Sequence, residues 1–319
     1  VHAWVYGFNT MGAFLGALLA GFFLIPALGL DNVSRSMGFI NLFAALVFLL
    51  LDRGAVRFSA AEKSGNFEES LAATSSERVP GYAALIAVAA LSGFAMMTIQ
   101  TILNRIGGLA LGASVFTFAM VVAVFVLSIA VGSLVVSFLP RISARMIVIS
   151  QWLLVLFVVF LYGAIPNAPY YAHGIRSLFQ PTEAAFYSYQ FLIFLGLLGT
   201  LIVPIGLSGA LLPLLFHHLR KTVGELGTTA GSLYSWNTAG SLLGALLGGY
   251  ILLFFFDLHV VFRVALGALV LCAGILTILL LRVSPLAAGL LVLVPAIAGI
   301  WTLPRWDPER LSSGLFRSR

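Results

Sequence analysis

Apolar residues fill this chain in long runs, and short polar breaks separate the runs. A bilayer core takes about 20 apolar residues per helix. On that length the pattern predicts nine spans, over about 4–28, 34–51, 82–103, 111–139, 143–165, 186–216, 229–255, 259–281 and 285–303. The second is short. The fourth and sixth are long enough to tilt or to extend beyond the hydrocarbon. The sixth also holds Pro204, Gly206, Gly209 and Pro213, a set that predicts a kink or a break.

One stretch departs from this pattern. Residues 52–81 carry Asp52, Arg53, Arg57, Glu62, Lys63, Glu68, Glu69, Glu77 and Arg78, with Ser, Ala and Gly between them. It reads as a charged linker between two groups of helices. Composition agrees with the spans: 61% of residues are hydrophobic, 9% are charged, and mean hydropathy is +1.08. Soluble domains carry about 25% charged residues. The chain is therefore read as an all-α, polytopic membrane bundle, with the lipid bilayer as its first partner. A net charge of +6 does not point to nucleic acid, because the Lys and Arg residues sit in short loops. The single cysteine, Cys272, lies in an apolar run, which excludes a disulfide framework and a cysteine-ligated metal.

Lys and Arg gather on the cytoplasmic side of membrane proteins. With 52–81 in the cytoplasm, that side holds Arg53, Arg57, Lys63, Arg78, Arg141, Arg145, Arg220, Lys221 and Arg282. The other side holds Arg35, Arg105, Arg176 and Arg263. Nine spans then put the tail, with Arg305, Arg310, Arg317 and Arg319, outside. That is against the charge rule, so either the tail is external or 285–303 does not cross.

The chain also repeats itself at an offset of 228 residues. The stretch from Trp4 to Leu24 matches that from Ser232 to Leu252 at Tyr6/Tyr234, Asn9/Asn237, Thr10/Thr238, Gly12/Gly240, Leu15/Leu243, Gly16/Gly244, Ala17/Ala245, Leu18/Leu246, Leu19/Leu247, Gly21/Gly249 and Leu24/Leu252. Tyr, Asn and Thr are rare here, so their recurrence is not a by-product of Leu-rich composition. Six helices separate the copies, so both cross in the same direction. A parallel repeat of six-helix units relates two halves about an axis along the membrane normal. On that register 1–51 holds the last two helices of a first half, 52–81 the linker and 82–282 a second half. Residues 283–303 add an extra helix, and 304–319 form a tail. Four helices of the first half are expected ahead of Val1.

The repeat, its six-helix period and the central charged loop resemble the major facilitator architecture. Three motifs resemble something narrower: membrane proteins fused to a spermidine synthase-like domain. These are Tyr-x-x-Asn-Thr-x-Gly-x-x-Leu-Gly-Ala-Leu-Leu, the stretch from Ser92-Gly-Phe-Ala through Asn104-Arg105 to Leu111-Gly-Ala-Ser, and Pro304-Arg-Trp-Asp-Pro-Glu-Arg-Leu-Ser-Ser-Gly-Leu-Phe. The resemblance implies a transporter-like bundle serving polyamine-related or other small-molecule chemistry. It also implies a cell membrane location, a bacterial inner membrane, and a synthase-like domain after the tail. Two departures stand out. The family's Tyr-Glu pair is replaced by Ile99 and Gln100. No glycine-rich turn with an acidic ribose ligand occurs, so synthase chemistry cannot be placed on this chain. No catalytic, cofactor-binding or metal-binding set is identified.

Several groups are candidates for function. Gly12 and Gly16, with Gly240, Gly244 and Gly248, sit at four-residue spacing and read as helix packing seams. Tyr6, Asn9 and Thr10 recur as Tyr234, Asn237 and Thr238, either as a polar gating ring where two halves meet or as local capping and interhelical bonding. Trp4 and Trp236 read as interfacial anchors. Gln100, Asn104 and Arg105 lie on the last turns of the third span and could take an amine or a headgroup, or simply form its wet end. Residues 166–185 form a long external connection that could serve as a lid or docking surface. His217 and His218 point apart on a helix and make a poor metal pair. Asp257, His259 and Arg263 read as a local ion pair. The acidic residues all fall in loops or at helix ends, whereas a cation-coupled carrier places one mid-span. That favours an alternative to the transporter-like reading, a non-transporting subunit or anchor working with other membrane-protein subunits.

Overall fold

The computed structural model describes residues 2–62, 81–139, 141–180, 182–219 and 226–314. Of side chains it describes 10–51, 81–139, 141–180, 182–219 and 229–314. Among the described residues there is no β-strand. Nine helical stretches among the described residues are long and apolar enough to cross a membrane: Thr10–Leu28, Leu30–Leu51, Tyr82–Leu111, Val115–Ser137, Ala144–Arg176, Glu183–Leu219, Thr229–Phe254, Leu258–Leu281 and Pro285–Thr302. The chain is an all-α, multi-pass membrane bundle.

The helices are α1 (His2–Leu19), α2 (Ile25–Leu28), α3 (Leu30–Glu62), α4 (Tyr82–Leu111), α5 (Val115–Ser137), α6 (Ala144–Ala164), α7 (Ala168–Arg176), α8 (Phe186–Leu219), α9 (Leu226–Leu243), α10 (Leu258–Leu281), α11 (Pro285–Ala288), α12 (Val294–Thr302) and α13 (Pro308–Leu311). Three π-helical turns join some of these: Ala20–Leu24 links α1 to α2, Gly244–Gly248 continues α9, and Gly289–Leu293 links α11 to α12. A π turn frees a carbonyl from the regular ladder, and such turns collect at functional or strained places. Both copies of the sequence repeat carry one.

The bundle is built on two tight seams. In the first, α9 lies on α4. A Cβ at Gly240 would strike the Ala90 carbonyl, and one at Gly244 the Phe94 carbonyl. Gly248 sits against the Thr98 side chain, and Gly93 of α4 sits against the Asn237 carbonyl. Only glycine allows backbones this close. Thr98 Oγ1 donates to the Gly244 carbonyl at 3.2 Å, where the π turn begins. In the second seam α5 lies on α8. Gly132 meets Gly206 backbone to backbone, and Gly209 meets Ile129. Here α8 runs as one helix through Pro204 and Pro213, without a break. Pro213 has no N–H, so the Gly209 carbonyl loses its helical donor. Ser133 Oγ of α5 supplies one at 2.9 Å.

Two buried clusters fill the space between these seams. One, at the end nearest the charged linker, packs Leu85, Val88, Leu211, Leu215 and Leu276 around Cys272. The other fills the opposite end, called here the distal end, around Phe125, Leu154, Tyr162, Phe262 and Trp306. Trp306 lies past the ninth span, and its presence among residues of α6 and α10 fixes the tail's place. The span Pro285–Thr302 traverses the bundle, and the tail returns to the distal end.

Two expectations need correcting. Among the described residues, Gly12 and Gly16 form no packing seam: nothing there lies within 4 Å of where a Cβ would sit on either. The physical reason is the neighbour. The α9 stripe lies on α4, whereas no described helix occupies the matching place beside α1. Instead α1 and its π turn pack on α5, with Gly21 against Ala119. The stretch 166–185 is also not an open loop. Its residues Ala168–Arg176 form α7, flanked by the short turns Ile165–Asn167 and Glu183–Ala185. Pro166 and Pro169 fall in first turns, where a missing N–H costs no hydrogen bond. The charged linker divides: 52–62 continue α3, and 63–80 lie outside the described residues.

Candidate functional site

The distal end of the bundle carries two polar features. The first is a clasp around Arg263 of α10, which is buried. Its guanidinium donates through Nε to the Tyr162 hydroxyl at 3.1 Å and through Nη2 to the Leu303 carbonyl. Tyr162 in turn donates to the Pro304 carbonyl at 2.7 Å. Trp306 Nε1 donates to the Tyr162 carbonyl at 3.1 Å, and the two rings lie 4.9 Å apart. The Arg263 cation also stands 5.7 Å from the Tyr162 ring centre. Every partner is a neutral dipole or ring, so the charge is solvated by the protein rather than paired with an acid. The expected ion pair is therefore only partial: Asp257 Oδ2 lies 3.9 Å from His259 Nδ1, and Arg263 turns away to the tail. This clasp ties residues 303–306 down.

The second feature is a cleft of about 980 Å³. It is framed by the end of α4, the start of α5, the turn from α9 to α10, and Ile25 and Leu30 from the first two spans. Its polar lining comes from Asn104, Arg105, Ser114, Thr117 and Asp257. Gly112, at a φ of +96° that suits glycine, ends α4 and turns the chain toward α5. Ser114 then caps α5: its Oγ accepts from Thr117 N at 3.1 Å, and Thr117 Oγ1 donates to the Gly112 carbonyl at 2.8 Å. Arg105 is held by one bond, Nη2 to the Gly249 carbonyl at 2.8 Å, just past the α9 π turn. Among the described residues its other guanidinium donors make no hydrogen bond. Asn104 Oδ1 is buried and has no hydrogen-bond partner among the described residues. A buried acceptor left unpaired costs about 1–3 kcal/mol. It is therefore a place where an incoming donor gains most.

Of the expected site residues, Asn104 and Arg105 line this cleft, and Gln100 sits half-buried one turn back on α4. The repeat residues lie elsewhere. Thr238 Oγ1 donates to the Tyr234 carbonyl of its own helix at 2.9 Å, and the Tyr234 ring lies 5.1 Å from that of Phe216 of α8. Asn237 presents its carbonyl to Gly93 and to Ser241 Oγ. Thr10 is buried in α1, while the side chains of Trp4, Tyr6 and Asn9 lie outside the described residues. Trp236 is exposed. His217 and His218 end α8, and Arg220 and Lys221 lie outside the described residues. Sequence reasoning missed Ser114, Thr117 and the cleft role of Asp257. The Ser-x-x-Thr start of α5 was the available signal for the first two.

A second cavity, of about 300 Å³, lies behind α7. Leu103, Ile106, Leu161, Ile175 and Leu201 line it, so it is apolar. Comparison with known protein families, with curated proteins and with solved structures finds no match for this chain.

Proposed function

We propose that this chain is a transporter-like membrane domain that receives a small amine-bearing molecule in the distal cleft. The proposal includes the spermidine synthase-like fusion family that its motifs resemble. The observation that supports it most is the position and chemistry of the cleft. It lies between the first two spans and the helices that follow the charged linker, the two groups that the sequence repeat assigns to separate halves. It offers an ammonium group two acceptors, the unpaired Asn104 Oδ1 and the Asp257 carboxylate. Arg105 offers an anion a cationic partner in the same space.

The test is uptake of labelled spermidine into vesicles reconstituted with the full-length protein. Saturable uptake is expected, lowered about tenfold by Asn104→Ala through loss of one charge-assisted hydrogen bond. Uptake no greater than in protein-free vesicles contradicts the transport reading.

A second reading is a non-transporting subunit or anchor, and two observations favour it. The face of α1 that carries Gly12 and Gly16 is open, and α3 exposes Phe39, Leu42, Phe43 and Phe48. Among the residues whose side chains are described, the acids are Asp31, Glu183, Asp257, Asp307 and Glu309, all at helix ends. Stable co-purification with other membrane proteins, without uptake, is the result that reading predicts.

A further inference from the structure

We infer that the distal cleft binds the headgroup of a glycerophospholipid bearing a primary ammonium, with the phosphate at Arg105 and the α5 N-terminus and the ammonium at Asn104 and Asp257. This inference rests on the reading of the cleft as a binding site and names the class of molecule that enters it.

The polar groups fall into two sets. The first set is donors. The first N–H groups of an α-helix have no intrahelical partner, and the helix dipole places partial positive charge there. At α5, Ser114 Oγ satisfies only the Thr117 N–H, so those of Val115 and Phe116 remain. Arg105 adds a full positive charge with guanidinium donors to spare, and its bond to Gly249 fixes it in place. A helix N-terminus beside an arginine is a phosphate-binding arrangement. The second set is acceptors, the unpaired Asn104 Oδ1 and the exposed Asp257 carboxylate. An anion alone leaves these acceptors unsatisfied. An ammonium alone leaves the donors unsatisfied. A phosphate joined to an ammonium satisfies both.

The walls name the rest of the molecule. Leu30, Phe118 and Phe256 line the cleft and are 64%, 58% and 48% exposed. Exposed apolar side chains of a membrane-spanning bundle meet lipid, and these three give the cleft an apolar edge. A soluble phosphate ester would leave those walls wet, whereas acyl chains cover them. Burial of apolar area at about 25 cal/mol per Å² then adds to the headgroup contacts.

The test is native mass spectrometry of the full chain from nanodiscs holding equal parts phosphatidylethanolamine and phosphatidylcholine, whose headgroups differ in N–H donors. The expected result is one retained lipid per protein, with phosphatidylethanolamine favoured about tenfold. Asn104→Leu should lower that preference to about threefold, the share left to Asp257. Asp257→Asn changes an exposed side chain that makes no capping bond in the fold. It should lower the preference about threefold without affecting folding. Equal retention of the two lipids in the unmodified protein would overturn the inference. So would displacement of the lipid by an equal concentration of soluble phosphoethanolamine, which would give the site to a soluble ester. Selective lipid retention without spermidine uptake would uphold this inference and defeat transport. Uptake with equal retention would do the reverse.

Discussion

Single hydroxyls and cations decide how this bundle tolerates its irregular backbone. Inside a bilayer an unpaired carbonyl has no water to turn to. Ser133 meets the carbonyl that Pro213 frees, Thr98 meets the one at the α9 π turn, and Arg105 meets Gly249 just beyond it. Replacing Ser133 by Ala should therefore cost about 0.6–1.7 kcal/mol, the range for interhelical hydrogen bonds in membranes. Denaturant unfolding in mixed micelles measures it. An unchanged midpoint would mean the Gly209 carbonyl has another donor. Arg263 shows the limit of sequence reading at this scale. Its neighbours in sequence, Asp257 and His259, suggest an ion pair, yet its bonds reach Tyr162 and Leu303, 101 and 40 positions away. Nothing in local spacing announces partners at that distance.

At the scale of elements, hydropathy carries most of the information. The nine predicted spans coincide with the nine observed ones to within several residues at most ends. The larger differences have local causes. Polar residues at 166–185 conceal α7, because a short amphipathic helix lying at the bundle end need not be apolar all round. The prolines of α8 look like breakers, but Ser133 relieves the second of them from a neighbouring helix. The two glycine stripes look equivalent in sequence, and their surroundings differ. Gly244→Leu should disrupt the α4–α9 seam, costing at least about 1–3 kcal/mol through overpacking. Gly12→Leu should leave stability of this chain unchanged or raise it by up to about 1 kcal/mol from helix propensity. Paired thermal unfolding measurements decide, and equal losses at the two sites would mean that α1 packs as α9 does.

For the whole molecule, the arrangement places its chemistry at one end. The cleft, α7, the Arg263 clasp and the tail all lie at the distal end, away from the charged linker. Parity of the spans already pointed the tail that way, while its own arginines argued against it. Packing resolves the conflict, since Trp306 is inserted between Tyr162 and Phe262 and is nearly buried. A ring of that size buried in a core outweighs the topological preference of a few exposed charges. The cleft was legible only in part. Asn104 and Arg105 stand out as polar residues at a helix end, but Asp257 and Leu30 reach the same space only through the fold. The most direct measurement is side-specific labelling of single cysteines by a membrane-impermeant maleimide. Cys272 is wholly buried and gives a silent background. Asp257→Cys and Glu309→Cys should label from one side of an intact membrane, and Glu68→Cys from the other. Labelling of positions 257 and 309 from opposite sides would contradict a cleft and tail that share one end.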